Sequence, residues 1–141
     1  MARAKPPLPA IAGFMGAPTV VNNVLTLAAT ATILAEGPAA HAALGAGRSK
    51  GTMPFQLSGN VRRPGLYEMP FGLTLRTLVE GFGGGTATGR PVRAVQVGGP
   101  LGAYFPNALL DTPLDYEAFA AAGGMLGHGG VVVFDDTVDL A

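Results

Sequence analysis

The N-terminal third of the chain contains one clear helical pattern. Apolar side chains after residue 23 recur with the spacing of one helix face, at Val24, Leu27, Ala28, Ala31, Leu34 and Ala35. Glu36 is followed by Gly37 and Pro38, which predict the helix end because glycine accepts a left-handed cap and proline cannot continue the helix. The β-branched residues 19–21 predict a short strand before the helix. Residues 1–18, rich in Pro, Ala and Gly, predict an extended loop.

Asn22 and Asn23 lie where the extended segment turns into this helix. Either one is a natural N-cap, since an asparagine side chain accepts a backbone N–H of the first turn. A helix start also presents unpaired N–H groups and the positive end of the helix dipole, which favour electron-rich ligand atoms. Two carboxamides and the nearby Thr26 hydroxyl would add polar contacts suited to a planar ring. The local pattern therefore leaves two interpretations open, a plain helix cap and a flavin or phosphate site.

A second pattern begins after a stretch of small residues at 37–51, which predicts a flexible connection with a domain boundary near Gly47–Gly51. Strict alternation follows and predicts a strand whose one side carries Phe55, Leu57, Gly59 and Val61. Arg63–Gly65 has the composition of a turn, and Leu66–Met69 then predicts a returning strand. Together these two segments predict a β-hairpin.

The rest of the chain adds a helix and more strands. Thr74 is the expected cap of a helix ended by three glycines, with an apolar face of Leu75, Leu78, Val79 and Phe82. Further strands are predicted at Val92–Val97 and Val131–Phe134, with a short helix at Tyr116–Ala122 capped by Asp115. A hairpin, a helix across it and further strands predict an α+β fold of the β-grasp type. The pattern does not give the order of the strands in the sheet.

Composition narrows the classes of function. Of the 141 residues, 48% are hydrophobic and only 13% are charged, against a usual charged share of about 25%. Such a surface predicts packing against other proteins, and it also permits self-association. The formal net charge is zero, so the chain lacks the basic footprint of a nucleic-acid-binding protein. It has no cysteine, no signal-peptide pattern and no apolar run of the roughly 18 residues that a membrane span needs, so a cytoplasmic location is expected.

Candidate catalytic residues are few. Ser58 is not in the G-x-S-x-G context of a nucleophile elbow. The glycine-rich stretch Gly81–Gly89 does not fit a dinucleotide loop, and GAGRSKGT at 45–52 lacks the G-K-[ST] ending of a phosphate loop. His41 and His128 have no ligand partners at metal-binding spacing. The aspartates at 135, 136 and 139 are expected to solvate a strand end. Arg62 and Arg63 are expected to be solvated at a hairpin tip, with docking of a partner as the alternative. We therefore predict no catalytic residue and no metal ligand in this chain.

Several longer segments together resemble one protein family. KPPLPAIAGFMGAPTVVNNVLTLA, FQLSGNVRRPGLYEMPFG, LDTPLDY and GHGGVVVFDD occur in this order from Lys5 to Asp136. They resemble the NADH-binding flavoprotein subunit shared by respiratory NADH:quinone oxidoreductase, NAD-reducing hydrogenases and NAD-dependent formate dehydrogenases. FQLSGN, AVQVGGPLGAYFP and PLDYEAFA lean toward the formate dehydrogenase β subunit. The resemblance covers essentially the whole chain.

The resemblance implies three parts. Residues 1–48 would be the C-terminal piece of an α/β domain that binds FMN and NADH, 52–136 a soluble-ligand-binding β-grasp (SLBB) domain, and 137–141 a C-terminal tail. In the family, the segment matching Val21, Asn22, Asn23 and Thr26 contacts FMN, so these four are the expected cofactor-binding residues. The remaining cofactor loops and the cysteines of a [4Fe–4S] cluster would lie outside this chain, which resembles the middle of a longer subunit.

The implied function is electron transfer between NAD(H), FMN and iron–sulfur clusters, within a complex of several subunits. A formate dehydrogenase β subunit is favoured, with the respiratory or hydrogenase version of the same subunit as the alternative. The chain by itself is expected to be inactive and to bind FMN weakly or not at all. A different class of function also remains, a stand-alone β-grasp module for ligand binding or docking with no redox role.

Overall fold

The computed structural model describes residues 4–140. Residues 1–3 and 141, which the predicted domain boundaries include, lie outside the described residues. The chain divides between Ala40 and His41 into two compact units, which we call the N-terminal unit and the C-terminal unit. The assignment of these regions to a flavin-domain tail, an SLBB domain and a C-terminal tail stays a prediction.

The N-terminal unit contains short helices where a loop and a strand were predicted. Helix α1 spans Pro9–Ala12, and a 3₁₀ turn follows at Phe14–Gly16. The predicted strand at 19–21 is wrong, because these residues are extended without a partner strand among residues 4–140. The Thr19 N–H donates instead to the Pro9 carbonyl at 2.8 Å, and its hydroxyl accepts from the Phe14 N–H at 2.8 Å. The loop thus satisfies its own polar groups.

Helix α2 spans Val24–Glu36, as predicted, with Asn23 as its N-cap and Gly37 beyond its end at a φ of 91°. The predicted apolar face is not buried, however. None of the helix residues is buried, and the half-buried ones are Ala29 and Ile33. Leu34, on the predicted face, is 81% exposed. The helix therefore presents apolar side chains that the N-terminal unit itself does not cover.

Residues 38–50 are more regular than their composition predicted. Helix α3 spans Pro38–Ala43, and the two-residue strands β1 (Gly45–Ala46) and β2 (Ser49–Lys50) pair antiparallel. The His41 ring lies directly over Gly51, whose φ is 82° and where a Cβ atom would come within 2.3 Å of the ring. A glycine is therefore required at position 51 for this close approach.

Five strands form the sheet of the C-terminal unit: β3 (Thr52–Gly59), β4 (Gly65–Pro70), β5 (Val92–Val97), β6 (Ala103–Pro106) and β7 (Gly130–Asp135). Their spatial order is β4-β3-β7-β5-β6. The first and last strands, β3 and β7, pair parallel in the centre, and every other pair is antiparallel. This mixed order, with a helix between β4 and β5, is a β-grasp arrangement and confirms the predicted α+β fold.

The helix that crosses the sheet begins as predicted but is wound differently. Thr74 caps it, accepting from the Thr77 N–H at 3.1 Å. Residues Thr77–Phe82 form a π-helix, in which the Gly83 N–H donates to the Leu78 carbonyl five residues back at 2.8 Å. Leu75, Leu78 and Val79 are fully buried on the predicted face. Phe82 is 41% exposed instead, because the wider turn carries it off that face.

The core lies between the sheet and its helices. Strand β3 buries alternate residues. The neighbouring strand β7 does the same, and its Val131 and Val133 are fully buried. The rings of Phe105 on β6 and Phe119 on helix α4 (Tyr116–Ala121) lie 4.6 Å apart between centroids. Asp115 caps α4 as predicted, accepting from the Ala118 N–H at 2.9 Å. A 3₁₀ turn at Asn107–Leu109 follows β6.

Two strand predictions differ from the structure. Strand β3 ends at Gly59, whose φ is 87° and whose missing Cβ would lie 2.3 Å from the Val133 carbonyl oxygen. Val61 is buried as predicted but belongs to an isolated bridge with Thr86. Strand β6 was not predicted, because an edge strand of four residues with Tyr104 54% exposed carries little hydrophobic pattern.

We expect Leu78→Ala to lower the free energy of unfolding of the C-terminal unit by about 2–5 kcal/mol, because it opens a cavity in the core. Leu101→Ala is the matched control, since Leu101 is 96% exposed in the same unit and should change stability by less than about 0.5 kcal/mol. Urea unfolding followed by tyrosine fluorescence and circular dichroism measures both. Equal effects of the two substitutions would contradict the assignment of Leu78 to the core.

Candidate functional site

The two adjacent asparagines have different roles at the start of α2. The Asn23 side-chain oxygen accepts from the Leu25 N–H at 2.8 Å, and Asn23 keeps an extended backbone with φ −68° and ψ 142°. This is N-cap geometry, so Asn23 is the residue that starts the helix. The Asn22 side chain is exposed and has no hydrogen-bond partner within residues 4–140. Its carboxamide is therefore available to a ligand.

Val21 and Thr26, the other two predicted cofactor-binding residues, also lie on the surface. Val21 is 73% exposed and precedes the cap. Thr26 is exposed in the first turn of α2, and its carbonyl accepts from the Thr30 hydroxyl at 2.8 Å. All four predicted residues are thus solvent-accessible at one junction of loop and helix. Their contact with a cofactor stays a prediction.

A groove opens beside this junction within the N-terminal unit. Its volume is about 510 Å³, and the residues that line it are Leu8, Pro9, Ala10, Pro18, Thr19, Val20 and Val21. We call it the N-terminal groove. Its walls are almost entirely apolar, and Val21, one of the lining residues, directly precedes Asn22 and the start of α2 in the chain. Apolar walls with a few polar groups at one side are typical of sites for flat organic ligands.

The chemistry available at this junction is limited to positioning. Neither the groove lining nor the four predicted residues include an ionisable side chain, so they supply no general acid or base. They offer amide donors and acceptors, a hydroxyl and the positive end of a helix dipole. Such groups can orient a planar polar ring and stabilise negative charge on it, and the transfer chemistry would then belong to the bound cofactor.

The structure overturns the expectation that Asp135 solvates a strand end. Asp135 is fully buried, and its carboxylate accepts from the Thr88 hydroxyl at 2.7 Å, the Asn60 amide at 3.1 Å and the Thr137 N–H at 3.1 Å. The Thr137 hydroxyl donates to it as well. These donors, with those of Thr137 and Thr88 foremost, lower the pKa of Asp135 to about 2. Burial without such donors would have raised the pKa instead.

Two other charged residues that were expected to be solvated have protein partners. Asp136 forms a two-pronged ion pair with Arg90, whose hydrogen bonds lower the pKa of the Asp136 carboxyl. Arg63 donates to the Gly81 carbonyl at 2.9 Å. Arg62 is exposed, as predicted. Local sequence could not indicate these partners, because the donors and acceptors lie 18 to 46 positions apart.

The remaining candidates show ordinary structural contacts. The Ser58 hydroxyl donates to the Val131 carbonyl of the neighbouring strand at 3.3 Å. Gly83 is the C-cap of the π-helix, so the glycine-rich stretch ends this helix, as predicted. Within residues 4–140, His, Cys, Asp and Glu nowhere gather in a group of three or more that could hold a metal ion. In the same range, no helix has the length and apolar character needed to span a membrane.

Comparison with known proteins shows similarity to parts of oxidoreductase and hydrogenase subunits. Residues 54–103 match the SLBB domain family. The chain is 48% identical over 135 residues to an NADH-quinone oxidoreductase subunit of Rhizobium meliloti, which covers 96% of the chain and 32% of that protein. It is 42% identical over 132 residues to an NADP-reducing hydrogenase subunit of Solidesulfovibrio fructosivorans, covering 94% of the chain and 27% of that protein.

A solved structure shows the same similarity. The crystal structure of an NAD⁺-reducing [NiFe]-hydrogenase in the air-oxidized state aligns with a TM-score of 0.78 and 40% sequence identity. The alignment covers 99% of this chain and 23% of that one. The chain thus spans about a third or less of the length of the proteins it matches.

The buried Asp135 gives a prediction about acid stability. Its folded pKa of about 2 lies below the ordinary value of 3.8, so it stabilises the fold fully above about pH 4, and this contribution is lost as the pH falls from about 4 toward 2. Asp111 and Asp136, whose pKa values arginine partners also lower, add to the same trend. Asp135→Asn should therefore flatten the loss of thermal midpoint between pH 4 and pH 2 without abolishing it.

Thr88→Val should have an intermediate effect, because it removes one donor to the carboxylate and leaves the others in place. Thermal unfolding by circular dichroism at several pH values measures the slopes. If Asp135→Asn and the parent chain lost the same number of degrees over this range, the proposed role of the buried carboxylate would be wrong.

Proposed function

We propose that the chain is a segment of an NADH-binding flavoprotein subunit and forms part of the flavin-binding subunit of an NAD(H)-dependent oxidoreductase; the SLBB match at residues 54–103 and the similarity to redox subunits support this. The observation that carries this proposal is the exposed asparagine junction beside an open apolar groove. Position and chemistry at that junction suit one edge of FMN, and the similarity to redox subunits extends along 96% of the chain.

In this proposal the four junction residues contribute to FMN binding in different ways. Asn23 fixes the helix start by accepting from the Leu25 N–H, and this exposed residue keeps its side-chain NH₂ donors for a ligand. Asn22 offers an uncommitted carboxamide, Thr26 a hydroxyl, and Val21 an apolar contact at the rim of the groove. When bound, FMN would exchange a hydride with NAD(H) and electrons with iron–sulfur clusters elsewhere in the subunit. The chain has no cysteine to hold such a cluster itself.

The exposed apolar surface of the N-terminal unit supports a location inside a larger domain. Val20, Val24 and Leu34 are between 72% and 84% exposed, which is uncommon for a surface that remains in water. We propose that the rest of the flavin- and NADH-binding domain covers these side chains. The SLBB domain would then contact neighbouring parts of the subunit or other subunits of the complex.

Formate oxidation is the more specific reaction that we propose for the parent complex. The support is the resemblance of FQLSGN, AVQVGGPLGAYFP and PLDYEAFA to formate dehydrogenase β subunits, together with two departures from the respiratory version. The respiratory version typically has Ser-Ser after its glycine pair, where this chain has Gly99-Pro100-Leu101. It also usually has Glu where this chain has Leu25. The relatives' names favour the alternatives, an NADH-quinone oxidoreductase or a hydrogenase subunit. Purification of the native complex and assay of NAD⁺ reduction by formate and by hydrogen, and of NADH oxidation by quinone, discriminates among the three.

Substitutions at the junction test flavin binding in the complete subunit. We expect Asn22→Ala and Thr26→Ala to lower the FMN content after gel filtration and to weaken FMN rebinding about tenfold, since each removes a polar contact to the ring. Thr32→Ala is the matched control, because Thr32 is exposed on the same helix beyond the junction. Flavin absorbance per protein and fluorescence quenching on titration give the readouts. Unchanged FMN content in Asn22→Ala would contradict the site.

Asn23 needs a variant that separates its two roles. Serine caps helices as well as asparagine does, so Asn23→Ser keeps the cap and removes the carboxamide. If Asn23 contacts FMN, Asn23→Ser loses flavin although α2 remains helical by circular dichroism. If Asn23 acts only as a cap, Asn23→Ser retains flavin and Asn23→Ala loses about 1 kcal/mol of helix stability.

The 141-residue chain alone is expected to bind FMN weakly or not at all, because four residues at one edge provide only a fraction of a cofactor site. Micromolar protein passed through gel filtration in the presence of FMN should emerge without flavin absorbance. A flavin spectrum retained in the protein peak would show that the junction and its groove suffice for binding.

A further inference from the structure

A second concave site is formed by residues of the C-terminal unit alone. Its volume is about 320 Å³, and its walls come from the β3–β4 turn, the π-helix, the loop before β5 and the turn after β6. The lining residues are Arg62, Glu80, Gly84, Gly85, Thr86, Gly89, Arg90, Pro91, Val92 and Asn107. We call it the loop pocket. Its volume is at the lower end of the range for small-molecule sites.

Hydrogen bonds hold the wall formed by residues 84–92 in place. The buried Asp135 accepts from Thr88, the Thr86 hydroxyl donates to the Arg90 carbonyl, and the Ala87 N–H donates to the Asn60 carbonyl at 3.1 Å. The ion pair of Arg90 with Asp136 adds a further tie. A wall fixed in this way needs little reorganisation when a ligand binds, which favours affinity.

Two glycines keep this wall open. Gly85 and Gly89 both have a φ of 75°, and a Cβ atom built at either position would meet no other atom within 4 Å. Packing therefore does not explain the missing side chains, while the left-handed backbone does. The result is a stretch of main chain without side chains at the pocket. The Gly85 N–H already donates to the Val79 carbonyl at 3.0 Å and the Gly89 N–H to the Thr86 carbonyl at 3.3 Å, so these glycines give a ligand space and not hydrogen-bond donors.

One charged side chain at the loop pocket has no ion-pair partner. Glu80 is paired at 2.9 Å with Arg76, which also pairs with Asp111 at 2.8 Å, and Arg90 is paired with Asp136. Arg62 is the lining residue whose side chain has no ion-pair partner among residues 4–140, and its backbone N–H donates to the Gly85 carbonyl at 2.9 Å. Its guanidinium donors are therefore available to a ligand. An arginine fork matches the two oxygens of a carboxylate or phosphate group.

We propose that the loop pocket binds a small anion that carries a carboxylate or phosphate group, with Arg62 as its charged contact. The glycine wall leaves space for the anion beside Arg62, and the Asn107 side chain, which donates one hydrogen to the Val92 carbonyl at 3.1 Å, borders the same space. The π-helix contributes Glu80 to the lining, and such widened turns are frequent at functional sites. The site does not rest on the proposed flavin function, and either can fail without the other.

Titration of the full 141-residue chain with succinate and with inorganic phosphate, at constant ionic strength, tests the site by two-dimensional ¹H–¹⁵N NMR. We expect saturable shifts of the Gly84, Gly85 and Gly89 amides with one or both probes. The probe that saturates at the lower concentration identifies the preferred group. Arg62→Gln should weaken this binding about tenfold or more, as expected for loss of a charged hydrogen-bonding partner.

Arg48→Gln is the matched control, because Arg48 has a 90% exposed side chain and does not line the pocket. Its affinity for either probe should stay within about twofold of the parent. Thermal midpoints in the presence of each probe provide an independent readout, since a ligand that binds the folded state raises them. Absence of saturable shifts, shifts spread over all arginines, or equal binding by Arg62→Gln would overturn the proposal.

Discussion

The parallel pairing of β3 with β7 is the constraint on which the C-terminal unit depends. It joins the first and last strands of the sheet in the register Leu57 to Val131 and Gly59 to Val133. Buried side chains of both strands then meet the helix that crosses the same face. A parallel pairing of segments far apart in sequence stabilises the fold only after the entropy cost of closing the intervening chain has been overcome. The unit therefore forms as a whole, with few parts that could be stable alone.

The same pairing creates the polar network at the end of β7. Because β7 runs beside β3, Asp135 comes next to Asn60, and the loop before β5 brings Thr88 to the other carboxylate oxygen. A buried carboxylate is costly unless donors surround it, and here several donors do. The network ties together three loops that the sheet alone leaves free. One of those loops is the glycine wall of the loop pocket. The buried Asp135 carboxylate therefore holds part of a surface pocket in position.

The N-terminal unit differs from the C-terminal unit in how little apolar surface it buries. Its helix α2 has the start, the end and the cap of an ordinary helix, but no buried side chain. Its groove is apolar and open, and the exposed Asn22 directly follows the lining residue Val21. A helix in water gains most of its stability from burying an apolar face. Our proposal assigns the unburied face to contact with further protein and the free amide to contact with FMN.

The sequence by itself determined the local elements: the bounds and cap of α2, the Thr74 and Asp115 caps, strand β5 and the buried alternation of β3. These depend on neighbours a few positions apart, which a linear pattern records. It also located the asparagine junction, although only the structure separated the cap, Asn23, from the free amide of Asn22. Tertiary structure alone decided the strand order, the end of β3 at Gly59, the short strand β6 and the π-helix. It also decided which charges are paired, because Asp135 and its donors meet only once chain segments up to 75 positions apart have folded together.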